Sequence, residues 1–152
     1  MKKTKPEKAR KYFLHYYTTD FHRCVVGLVG DPKAAVPELR HLWKSRPDVG
    51  RGVVEDYVGL DAEFDYETLT AGKSGATKRY DDGVILMWFP TLPDDCTLVH
   101  ELVHCMQRIR ESLGIQDDEF EAWTVDRLFE HFQEKFRKDR DIPFANPKVV
   151  HQ

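Results

Sequence analysis

Val84-Ile85-Leu86-Met87-Trp88-Phe89-Pro90-Thr91-Leu92-Pro93-Asp94-Asp95-Cys96-Thr97-Leu98-Val99-His100-Glu101-Leu102-Val103-His104 carries the chain from one kind of backbone to another. Its first six residues are apolar at odd and even positions alike, the pattern of a strand covered on both faces. Pro90 and Pro93 cannot donate to a ladder and end that strand. Asp94 or Asp95 then offers a side-chain oxygen to the free N–H groups of a first helical turn. From there Leu98, Leu102, Cys105, Met106, Ile109 and Leu113 recur as one stripe of a 3.6-residue period. The spacing predicts a helix to about Ser112, with Gly114 as its stop.

Working toward the N-terminus, Ala76 to Tyr80 faces the apolar strand across Asp81-Asp82-Gly83, whose chemistry is that of a tight hairpin turn. Between Ser45 and Thr70 the chain is broken by Pro47, Gly50, Gly52 and Gly59, and only Gly52-Val53-Val54 and Tyr57-Val58 suggest short extended pieces. Gly30-Asp31-Pro32 reads as a turn, an N-cap and a proline at the first position of a helix carrying Leu39, Leu42 and Trp43. The β-branched run from Phe21 to Val29 reads as a core strand, and Tyr12 to Tyr17 is rich in aromatics. Toward the C-terminus a second helix starts near Asp117-Asp118-Glu119 and runs to about Lys138. These elements predict one α+β domain over residues 1–152, with a small, largely antiparallel sheet packed on the histidine helix and a second C-terminal helix. Residues 1–11 read as a basic tail and 143–152 as a C-terminal tail.

Composition removes several function classes. The formal charge is −3, so no global field favours nucleic acid. The basic cluster at Lys2, Lys3, Lys5, Lys8, Arg10 and Lys11 reads as a solvated tail ahead of a nucleic-acid contact. No apolar run approaches the roughly 18 residues of a membrane span, and the N-terminus lacks the apolar core of a signal peptide, which together imply a cytosolic protein. Cys24, Cys96 and Cys105 form no C-x-x-C pair and read as small buried apolar residues.

His100 and His104 fall opposite the apolar stripe, together with Gln107 and Glu111. Residues four apart on a helix are neighbours, so both imidazoles can reach one metal ion. Glu101 lies beside them, where a carboxylate can take a proton from water without binding the metal. The uncharged flanks Thr97, Leu98, Val99, Leu102, Val103, Cys105 and Met106 suit a helix buried beside an active site.

Zinc chemistry needs a third ligand. A metzincin would have a glycine at position 107 and a histidine at 110, where this chain has Gln107 and Arg110. A SprT-like enzyme would have a histidine at position 108, which is Arg108. A carboxylate from the second helix is left. The wheel turns Glu121 toward the apolar face of Val125, Leu128, Phe129, Phe132 and Phe136, while Glu119, Asp126 and Glu130 point away. Glu121 is therefore the expected ligand and Glu119 its alternative; as an ordinary surface acid, Glu121 would pair with Arg108 or Arg110. His131 would reach the site only if the second helix bent back, and Tyr80 and Tyr66 are candidates of the same rank.

The run Thr97-Leu98-Val99-His100-Glu101-Leu102-Val103-His104, followed by Glu121-Ala122-Trp123-Thr124-Val125, resembles the gluzincin-type zinc metallopeptidases. It is similar to small phage-encoded metallopeptidases and to the minimal zincin-like scaffold of ImmA/IrrE-like proteins, over roughly residues 72–136. The resemblance implies a zinc metallopeptidase acting on a peptide or protein substrate in the cytoplasm, the host's if phage-encoded. Glu101 is then the general base, and the strand Val84 to Phe89 borders the substrate cleft. The rival expectation is a zinc-binding module that holds a partner without hydrolysing it.

Overall fold

The computed structural model describes residues 8–19, 23–46, 49, 53–54, 74–80, 83–114 and 117–145. β1 (Tyr12–Thr18) and β2 (Cys24–Gly30) form an antiparallel hairpin, as do β3 (Ala76–Arg79) and β4 (Ile85–Phe89). The hairpins join through a parallel β2–β4 seam, with Val25 opposite Ile85 and Val29 opposite Phe89, giving the sheet order β1-β2-β4-β3. The small, largely antiparallel sheet read from the sequence is thus present, with β1 and β3 at its edges.

Helices cover both faces. β2 and β4 are buried along their whole length, which accounts for the unbroken apolar character of 84–89. Val25, Val29, Ile85, Met87 and Phe89 point to one side, where α2 (Asp95–Leu113) and α3 (Asp118–Asp139) supply Leu98, Leu102, Ile109, Leu128, Phe132 and Phe136. Val26, Leu28, Leu86 and Trp88 point to the other, against Leu39 of α1 (Val36–Ser45) and the buried Val49, Val53 and Val54. A strand's period of two assigns these faces.

The termini of α2 and α3 follow local chemistry. Asp94 Oδ1 accepts from the Thr97 N–H at 2.7 Å, and Gly114 closes α2 at φ 67°. Asp117 Oδ1 accepts from Glu119 and Phe120. In the β3–β4 turn, Gly83 takes φ 88°, a left-handed conformation that a side chain would strain, and its N–H reaches the Tyr80 carbonyl at 2.9 Å.

Three local readings change. Asp31 does not cap α1: its carboxylate accepts from the Lys33 N–H at 3.0 Å, residues 32–35 form turns, and the helix starts at Val36 with Pro37 in its first turn. Val53 and Val54 are helical, not extended, while Gly52, Tyr57 and Val58 lie outside the described residues. Cys24 and Cys105 are buried as expected, but Cys96 is exposed. At the inner ends of the two tails, Arg10 and Phe144 form a parallel bridge, and the Phe144 ring lies 5.3 Å from that of Phe13.

α2 and α3 run antiparallel and are tied at both ends. Gln133 donates to Asp95 at 3.2 Å, and Arg110 donates to Glu121 at 3.1 Å. His15 of β1 meets the buried Asp139 at 2.5 Å, fixing the end of α3 to the sheet. Among the described residues no helix is long and apolar enough to cross a membrane.

Candidate metal centre

α2 lies on the sheet with its apolar stripe down, so His100 and His104 face outward. Their Nε2 atoms approach to 3.2 Å, with ring centroids 4.8 Å apart. His104 Nδ1 meets the Gln107 side-chain oxygen at 3.1 Å. An amide oxygen only accepts, so Nδ1 carries the proton and Nε2 presents its lone pair toward His100. Among the described residues, His100, Glu101 and His104 form a group able to hold a metal ion, their ligand atoms all within 4.8 Å of one another.

Glu101 differs in its surroundings. It is 4 % exposed, while His100 is exposed and His104 half-buried. Thr77 of β3 donates to Glu101 Oε2 at 3.3 Å and lies 3.4 Å from its carbonyl oxygen. This contact fixes the carboxylate and joins helix to strand. Cys105, one turn on, is fully buried; burial first and the Glu101 charge second push its thiol far up, so it stays protonated. Gly75 gives the carboxylate its room, since a Cβ there would lie 3.0 Å from Glu101 Cγ and 3.1 Å from the Phe89 ring. The three residues of the group line a cleft of about 660 Å³ with Gly75, Thr77 and Arg108.

The structure places every expected site residue but Tyr66. His100, Glu101 and His104 come together. Glu121 stands apart, half-buried and paired with Arg110 at 3.1 Å, and Glu119 is exposed on the first turn of α3. His131 faces away from the cleft, its ring 5.0 Å from that of Tyr17 on β1. Tyr80 is buried in the core on the opposite face of the sheet, and Tyr66 lies outside the described residues.

Two expectations about the surroundings are corrected. The strand bordering the cleft is β3, through Ala76 and Thr77, because Val84 to Phe89 is one strand further in and wholly buried. Val99 and Val103, read as buried flanks, are 39 % and 42 % exposed on the open side of α2. Sequence reasoning put Gln107 on the histidine face but gave it no role, and it passed over Thr77. Gln107 had a usable signal, standing three residues after His104 on the same helical face, whereas Thr77 is brought in only by the pairing of β3 with β4.

The arrangement supplies two imidazole nitrogens facing each other across 3.2 Å, a fixed carboxylate beside them and an open cleft in front. No protein-family model, curated protein or solved structure matches the chain.

Proposed function

We propose that the chain is a zinc-dependent metallohydrolase of the peptidase type. The observation that carries this reading is the 3.2 Å separation of the two Nε2 atoms beside the buried Glu101. Two nitrogens bound at about 2.0–2.1 Å around a tetrahedral zinc stand roughly 3.3 Å apart, so the pair is spaced for one ion with little rearrangement. Zinc held there would supply Lewis acidity, polarising a carbonyl and lowering the pKa of water toward about 7. Glu101 then accepts a proton from the attacking water and passes it to the departing amine, with Thr77 steadying its carboxylate. Gln107 keeps His104 in the tautomer that offers Nε2.

Glu121 is the proposed third protein ligand, with Glu119 as the alternative. Arg110 lies six residues beyond His104, about 9 Å of helix. Glu121 would therefore have to leave Arg110 and the first turns of α3 move for it to join the pair. Metal binding tests this exchange: Glu121→Ala should weaken zinc affinity and Arg110→Ala strengthen it. Unchanged affinity in Glu121→Ala would confine Glu121 to its ion pair.

The deciding experiment is metal analysis of protein purified without an affinity tag, followed by a peptidase screen of the zinc-loaded chain. About one zinc per chain in the parent, its loss in His104→Ala, and turnover abolished in Glu101→Gln with zinc retained would support the reading. A parent unable to hold supplied zinc would sink it. The Glu101–Thr77 contact also favours a second reading, a zinc module that binds a partner, in which Glu101 only pins β3 to α2. In that case Glu101→Gln leaves the function unchanged.

A further inference from the structure

The cleft is neutral at one end and basic at the other. Ser74, Gly75, Ala76, Cys96 and Thr97 line it at the start of β3 and α2. Beyond Thr77 and Arg108 lies a groove of about 300 Å³ lined by Thr77, Lys78, Arg79, Arg108 and Glu111. The shared residues set the groove directly beside the cleft.

Period arguments aim two of these cations along the site. Arg79 is two residues after Thr77 on β3 and so shares the face from which Thr77 reaches Glu101. Arg108 is one turn after His104 on α2 and follows the histidine stripe. Among the described residues the only acid lining the groove is Glu111, whose contact with Arg108 is a long 3.4 Å between two exposed side chains and leaves the guanidinium able to take another anion. Lys78 lies over the Tyr80 ring with its ammonium 4.8 Å from the centroid and adds charge from the far side of the strand.

We propose that this cleft and groove select substrates bearing a carboxylate, held by Arg79 and Arg108 about two residues from the bond to be cut. The inference rests on the peptidase reading and names its substrate class. The spacing follows from the scaffold: two residues of β3 span roughly 7 Å and four residues of α2 roughly 6 Å, against about 3.3–3.6 Å per residue of an extended peptide. The carboxylate belongs either to an acidic side chain or to a free C-terminus, and both present the same planar pair of acceptors to a guanidinium.

The test uses the zinc-loaded full chain and synthetic peptides carrying Glu, Gln or Lys at each position in turn, each with a free or amidated C-terminus. Cleavage is followed by mass spectrometry. Expected is about a tenfold preference for Glu over Gln at one position two residues from the cut, shrinking as salt rises. The preference should fall to about threefold or less in the Arg79→Gln, Arg108→Gln double variant, with zinc content and melting temperature unchanged. A preference that follows the free C-terminus, and is lost on amidation, identifies the terminal carboxylate as the source. Equal rates for Glu and Gln on both kinds of terminus, or a preference the double variant keeps, overturn the proposal while leaving the peptidase reading intact. A zinc-loaded parent that cleaves none of the peptides overturns both.

Discussion

Replacing Gln107 with Leu should weaken metal binding without touching a ligand. The Gln107 oxygen accepts from His104 Nδ1 at 3.1 Å and thereby leaves Nε2 as the lone-pair nitrogen, 3.2 Å from its counterpart on His100. Leu offers no acceptor, so the imidazole is free to rotate and to exchange tautomers, and binding must select the competent arrangement. Removing an outer partner of a metal-bound histidine costs about 10- to 100-fold in affinity. This hydrogen bond is exposed and of ordinary length, so water replaces part of it, and its net worth is about 0.5–1.5 kcal/mol. The ranges overlap near tenfold, or about 1.4 kcal/mol. A chelator competition titration with zinc measures it, and nitrogen NMR of the His104 ring reports the tautomer. Gln107→Glu, which keeps an acceptor, should bind at least as tightly as the parent. Zinc affinity of Gln107→Leu within about twofold of the parent, with His104→Ala losing the metal, would show that the contact orients nothing.

Other perturbations probe the frame. Gly75→Ala places a methyl 3.0 Å from Glu101 Cγ with the Phe89 ring behind it, so zinc content should hold while any turnover falls along with about 1–3 kcal/mol of stability, read by urea melts. Cys96 alone should react with a thiol reagent in the native state, Cys24 and Cys105 following only on unfolding, which mass spectrometry resolves. Burial first and the Lys135 charge second hold the His131 imidazole below its ordinary 6.5. The unfolded chain therefore takes up that proton first, and stability should fall as pH drops below about 6.5 until the depressed native value is passed. Urea midpoints at several pH values should show a shallower fall in His131→Phe; an identical fall would assign the loss to other groups.

The starts of α2 and α3 and the end of α2 were legible because a cap is a local event: an aspartate ahead of free N–H groups at each start, and at the end of α2 a glycine able to adopt positive φ. The same rule misread Asp31, whose carboxylate found the Lys33 N–H two residues on and made a turn before the helix. Val53 and Val54 suggested extension by propensity, but their burial with Leu39 against the sheet outweighs a preference worth tenths of a kcal/mol. The His100, Glu101 and His104 group was legible because one helix carries all of it. What long-range pairing decides was not. Neither the parallel β2–β4 seam nor the position of β3 beside the cleft follows from any local pattern, and the wheel that turned Glu121 inward gave no axial position, which is where Arg110 holds it.

The parallel seam also bears on the order of folding. Its partners Val25 and Ile85 lie sixty residues apart, and the Trp88 indole donates to the Gly30 carbonyl across a separation of 58. Each hairpin closes over a handful of residues, whereas the seam bears the loop entropy of the whole intervening segment. Every described residue lining the histidine cleft lies between Ser74 and Arg108, on the late hairpin and the helix that follows it. The half that carries the candidate metal site can thus assemble before the seam closes. In stopped-flow refolding, zinc should then accelerate the folding phase and not only slow unfolding, the signature of a ligand already gripped in the transition state.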